Sequence, residues 1–231
     1  TAPNRRVGFP AYESYTSDWN ADLKTLLQRS LDWAAGCGEG GNPCGTNLVM
    51  VTVDGTTTTD AADTIKAALF ESWGWTVTAL DDDTADFSSA AASNDVMFIS
   101  ESVSGSTTST KARDLNIGVV AEEDYVWDEM GFGTPGNGGV SHDTITITDN
   151  SHYITSSFST GNLTVFSAGY ENMGSLGSPS PTLASGGQCL ANENAGSSPT
   201  LFTFNAGADL VSGTAANRRV GFPSKTSNTS N

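Results

Sequence analysis

The sequence predicts an α/β domain: a doubly wound, mostly parallel sheet with a β-rich antiparallel addition. Three observations carry this. Between Asn47 and Asp124, short unbroken apolar runs alternate with amphipathic stretches, the pattern of strands covered on both faces by crossover helices. After Gly133 the pattern becomes apolar–polar alternation, as in SHDTITIT and LTVFSAGY, which marks half-exposed antiparallel strands. The length, 231 residues, suffices for one well-buried domain with a small addition.

Taken in order, RRVGFP at 5–10 reads as a short strand, and SDWNADLKTLLQRSLDWAAG as a helix over 17–35. Ser17 or Asp18 is its expected N-cap. Leu23, Leu26, Leu27, Leu31 and Trp33 fall at helical spacing, and Gly36 supplies the stop. Residues 37–46 are Gly-rich and read as a linker bracketed by Cys37 and Cys44. NLVMVTVDG is the next strand. TDAADTIKAALFESWGW is a helix with Ile65, Leu69, Phe70 and Trp73 on one side. Strands TVTALDDD, DVMFISES and IGVVAEED follow, with short helices or turns at STTSTKARDL and YVWDEMGF. Beyond the alternating segments, turns rich in Gly, Ser and Pro lead to TLFTFNAGADL and then to ANRRVGFP. The tail 224–231, SKTSNTSN, is polar and expected to be disordered.

The most specific feature is a repeat. TAPNRRVGFP at 1–10 returns as TAANRRVGFP at 214–223, with Pro3 against Ala216 as the one difference. A helix follows the first copy and the polar tail follows the second. Residues 1–36 therefore read as the closing strand and helix of a module, permuted or exchanged with a neighbouring module, ahead of an α/β core at 47–223. Arg6, Val7 and Phe9 in the first copy, and Val220 and Phe222 in the second, alternate as strands with one buried face. Two copies compete for one closing position. At least one is thus expected to pair with another subunit, taking the helix with it, in head-to-tail assembly. Duplication without function is the bland alternative.

The charge is strongly negative, 26 acidic residues against 10 basic, a net of −16. Such a surface repels phosphates, so neither nucleic acid nor an anionic membrane is an expected partner. No apolar run in the sequence approaches a membrane-spanning length. Opening on Thr1 rather than Met is expected of a processed chain or a piece of a longer one. The abundance of Thr, Ser, Gly and Asn, with few charged residues, points to a secreted or cell-surface protein. In an oxidising compartment a Cys37–Cys44 disulfide is expected, although three cysteines allow three single pairings. Cys189 is then left over as a buried thiol or an intermolecular partner. Sequons at Asn162 and Asn228 are candidate glycosylation sites.

The runs NLVMVTVDGTTTTDAADTIKAALFESWGWTVTALDDD and DVMFISESVSGSTTSTKARDLNIGVVAEEDYVWDEMGF, with the RRVGFP ending and the helix SDWNADLKTLLQRSLDWAAG, resemble an accessory module of secreted multidomain bacterial proteins. That module often sits beside glycoside hydrolase or carbohydrate-binding domains. The resemblance implies a flavodoxin-like, class I glutamine-amidotransferase-like fold without the catalytic set. Starting with the closing strand and helix departs from the family's usual order.

The residues agree with a missing catalytic set. A nucleophile of that kind stands on a tight, Gly-flanked strand-to-helix turn. The matching stretch here is Ile99-Ser100-Glu101-Ser102-Val103, with no Cys and no flanking Gly. Ser102 would need a base, and His142 and His152 lie in the strand-rich addition. The carboxyl ends of a parallel sheet usually hold the ligand, and here they present Asp54, Glu101, Glu122, Glu123 and Asp124. Such carboxylates suit glycoside hydrolysis or a hard cation, Ca²⁺ foremost, or they cap helices and face water. Asp81-Asp82-Asp83 is a second acidic run. Apart from such a cation no cofactor is expected, since VDGTTTTD after the first strand cannot cradle a phosphate. Trp73 and Trp75 could stack on sugars but read as core. The expected function is a non-catalytic extracellular structural module that self-associates into an array or filament. The alternatives are a carbohydrate-binding accessory domain or a hydrolase with an atypical site.

Overall fold

A computed structural model describes residues 19–37, 45–166, 171–177, 182–194 and 196–223, with the backbone alone for 136–141 and 171–173. The helices are α1 (Ala21–Ala34), α2 (Ala61–Ser72), α3 (Ser88–Ser93) and α4 (Gly105–Thr108), with a 3₁₀ turn at Asp124–Val126. The strands are β1 (Asn47–Thr52), β2 (Thr76–Asp81), β3 (Val96–Ile99), β4 (Gly118–Ala121), β5 (Gly136–His142), β6 (Thr144–Ile147), β7 (Gly161–Thr164), β8 (Glu171–Leu176), β9 (Gly187–Glu193), β10 (Pro199–Phe204) and β11 (Arg219–Gly221). Among the described residues no helix is long and apolar enough to cross a membrane.

Nine strands form one mixed sheet in the order β2-β1-β3-β4-β11-β10-β9-β6-β7, and β5 pairs with β8 in a separate ribbon. From β2 to β11 neighbours are parallel, and from β11 to β7 they are antiparallel. The β-rich part therefore extends the main sheet instead of standing beside it. Three strand segments escape the sequence reading. The run GQCLANE of β9 has too little apolar alternation to read as a strand, and β5 and β8 carry glycines that weaken strand signals.

Alternation along the parallel strands sends side chains to two buried clusters. Leu48, Met50, Val96, Phe98, Val120, Val220 and Phe222 meet α1 and α2 on one face. Val49, Val51, Met97, Ile99, Val119 and Ala121 meet Phe87, Val126, Trp127 and Leu176 on the other. The cap of α1 is Asn20, not Ser17 or Asp18, which lie outside the described residues. The Asn20 side chain accepts from the amides of Asp22 and Leu23. The Leu face of α1 is buried as expected, and Gly36 takes φ +90° at its end. That face lies on the chain's own sheet, against β3, β4 and β11.

The face expected for α2 is corrected. Ile65 is exposed and Leu69 and Trp73 are only half-buried, whereas Ala62, Asp63, Lys66, Ala67 and Phe70 are buried. The second repeat copy forms β11, central in its own sheet, with Val220 and Phe222 fully buried. Arg6, Val7 and Phe9 of the first copy lie outside the described residues. So do Cys44, the expected partner of the buried Cys37, and Asn228. Asn162 is exposed on β7, where its side chain accepts from the Thr146 hydroxyl. Cys189 is half-buried, not buried, because β9 places it beside Thr148 and Asn192.

Candidate functional site

The same alternation that builds the first core face sets the site. Along β1 the buried side chains Leu48 and Met50 are followed by Thr52. Along β3, Val96 and Phe98 are followed by Ser100, and along β4, Val120 is followed by Glu122. Thr52, Ser100 and Glu122 are all fully buried. They form a polar row at the carboxyl ends of three adjacent parallel strands, where open α/β sheets usually bind ligands. Helix α2 lays Asp63 and Lys66 over this row.

Lys66 Nζ lies 2.6 Å from Glu122 Oε2, 3.8 Å from Glu101 Oε1 and 3.9 Å from Asp63 Oδ1. It also donates to Ser100 Oγ at 3.1 Å. Ser100 in turn donates to Asp63 Oδ1 at 2.5 Å, and Ser102 donates to Asp63 Oδ2 at 2.6 Å. The Glu101 amide points to Glu122 Oε2 at 3.3 Å. Burial works against the Lys66 ammonium, but Glu122, Glu101 and Asp63 together outweigh it and raise its proton affinity. Burial also pushes the Asp63 carboxyl up, against the pull of Lys66 and the two serine hydroxyls.

This geometry limits the chemistry. A Ser–Lys pair needs a neutral amine as base, and Lys66 is held charged. The Ser100 hydroxyl is buried and committed to Asp63. Ser102 is also committed to Asp63, not to a histidine. His152 packs edge-on against Trp33, with ring centroids 5.0 Å apart, and its Nδ1 accepts from the Ile154 amide. His142 ends β5, opposite Glu171.

No protein-family model, curated protein or solved structure matches the chain.

Of the acidic residues expected at the strand ends, the structure brings Glu101 and Glu122 together, and an ammonium sits between them. Asp54 is exposed in a turn, accepting from the Thr56 amide. Glu123 caps the 3₁₀ turn by accepting from the Tyr125 amide at 3.0 Å. Asp124 is buried under the backbone of Gly174. Carboxylate oxygens of Asp81, Asp82 and Asp83 lie within 4.8 Å of one another, and Asp82 Oδ2 accepts from the Ser104 amide at 2.9 Å. Trp75 is buried and Trp73 is half-buried against Phe70, so both belong to packing.

Sequence reasoning missed Lys66 and Asp63. The signal was present: a polar residue continues the apolar parity at the end of each of three strands, and such a row demands a buried partner.

A separate carboxyl is perturbed. Burial, then the hydrogen bond and charge of neighbouring Asp128, push Glu129 from 4.5 up to about 7. A raised carboxyl favours the fold while protonated and loses that advantage as pH climbs from 4.5 through about 7. Glu129→Gln is therefore expected to stabilise the chain at pH 8 by about 1 kcal/mol, allowing for solvent screening of a half-exposed group. The gain should vanish below pH 4.5. Urea titrations at the two pH values check it, and equal gains at both would refute the assignment.

Proposed function

We propose that the chain is a non-catalytic structural module of the extracellular space that assembles with copies of itself. The observation that carries this reading is the Lys66 network. The position where an α/β sheet of this kind would take a substrate is filled by the chain's own buried ammonium, with hydroxyls tied to Asp63. The strand order β2-β1-β3-β4, with β11 as a fifth parallel neighbour, supports a flavodoxin-like origin whose ligand crevice has become part of the core.

Assembly is supported by the ends of the sheet. β2 pairs with β1 at six positions without a register shift, and contains neither Pro nor Lys. Among the described residues it has one strand neighbour. Natural edges usually carry such blocking features, so an edge lacking them suits pairing with another chain. Joining β2 of one copy to β7 of the next is head-to-tail and propagates. The net charge of −16 opposes such contacts at low salt and is screened at high salt.

The test is sedimentation velocity and electron microscopy of the purified chain across a salt and concentration series, with a turnover screen against esters, amides and glycosides. Polymers that grow with salt, and no turnover, are expected. A strict monomer retained on immobilised glycans would replace this reading with a carbohydrate-binding one. Turnover abolished by Glu101→Gln or Ser102→Ala would replace it with a hydrolase.

A further inference from the structure

The position of β11 is matched to the sequence NRRVGFP residue by residue. Asn217 accepts from the Arg218 amide through its own side chain. Arg218 Nη1 donates to the Trp33 carbonyl at the end of α1, and its guanidinium lies 4.8 Å over the Trp33 ring. Arg219, fully buried, donates to the carbonyls of Arg113, Leu115, Ile117 and Arg218. Val220 and Phe222 enter the face under α1, and the Phe222 amide donates to the Ala121 carbonyl. At Gly221 a Cβ would lie 2.5 and 2.7 Å from carbons of the Phe202 ring. That ring is fixed among Trp127, Phe132 and Phe204. Residues 4–10 offer the same seven side chains in the same order.

The path of the chain also fits the first copy. Four antiparallel pairings separate β11 from β7, so the two strands run the same way and end at the same edge of the sheet. Helix α1 starts at that edge. Trp19 bridges to Phe166, and Asn20 bonds to the carbonyls of Val165 and Thr164. It finishes at the opposite edge, where Ala34 lies on Gly118 at the start of β4. It then leads to β1, which lies parallel to β3, β4 and β11 in turn. A strand in the β11 position, followed by α1 and β1, is thus a βαβ unit. The crossing from β11 to β7 spans four strand spacings, about 19 Å. The eight residues 11–18 reach about 26 Å when extended.

We propose that the slot between β4 and β10 is a binding site for NRRVGFP that either copy in the same chain fills, residues 217–223 in one arrangement and residues 4–10 in the other. Each chain has one slot and two occupants, so exchange between chains fills no additional slot. The link to α1 also gives residues 4–10 a high local concentration that a second chain must match. The inference holds whether or not the chain assembles.

Three full-length variants test it. Gly221→Leu blocks the second copy, Gly8→Leu blocks the first, and the double variant blocks both. Each single variant is expected to unfold cooperatively within about 5 °C of the parent chain as a monomer, and the double variant to show no cooperative transition. Brief trypsin treatment should cut after Arg219 in Gly221→Leu and spare it in the parent. Three results would overturn the proposal. One is Gly221→Leu failing to fold like the double variant. Another is a double variant that still folds. The third is a Gly221→Leu chain that folds only as a concentration-dependent dimer, which would mean the slot is filled from a second chain.

Discussion

Lys66→Ala is expected to destabilise the chain by about 3–5 kcal/mol, the cost of leaving a buried ionic partner uncompensated. The substitution removes the charge that faces the fully buried Glu122 carboxylate, and with it the charge that faces Glu101 and Asp63. Replacing the pair together, Lys66→Met with Glu122→Leu, is expected to recover most of the loss, since an apolar pair of similar volume carries no desolvation cost. Asp63 keeps its two serine donors in that variant. Urea midpoints at unchanged slope measure both steps. The raised Lys66 means its contribution is complete below the ordinary lysine value and is lost only as pH rises beyond it. The deficit of Lys66→Ala should therefore contain no Lys66 titration between pH 6 and 9. A loss under about 1 kcal/mol would show that water reaches the network.

Gly118→Ala is expected to cost about 3 kcal/mol, the upper part of the range for overpacking a filled core. A Cβ there would overlap the carbonyl group of Ala34. Both sides of that contact are backbone, so no side chain can turn away. The strain falls on α1, whose last turn also meets Arg218 through the Trp33 carbonyl. Lost stability in urea should come with an altered near-ultraviolet signal from Trp33, which is fully buried. An unchanged signal with full stability would mean that α1 shifts on the sheet without cost.

The parallel half of the sheet was legible because its strands are continuous apolar runs whose ends carry turn residues, and β1, β3 and β4 fall where those runs do. The antiparallel half was legible only where alternation is strong, as in TITI of β6. β9 depends on partners on both sides, β10 and β6, and its own residues say little. The helical face of α2 was misread because Lys66 counts as polar in any periodicity, although its ammonium is buried with its stem. Tertiary pairing alone makes that position a core one. Of the acidic strand ends, Glu101 and Glu122 come together around Lys66. What the sequence could not show was that the cation among them is covalently part of the chain.

The central place of β11 bears on how the protein is made. β4 and β11 are neighbours in the sheet but lie far apart in the sequence. During synthesis β1, β3 and β4 emerge first, and one edge of β4 waits for its partner. With roughly 100 residues between the two strands, translation at ~5–20 residues per second leaves that edge bare for ~5–20 s. A bare parallel edge beside an apolar face is a template for wrong pairing on a crowded polysome. The first copy of NRRVGFP leaves the ribosome before β4 does, tethered to the helix that covers this face. Where residues 4–10 fill the slot as proposed above, they act on the nascent chain as a placeholder strand, closing the sheet until their duplicate arrives.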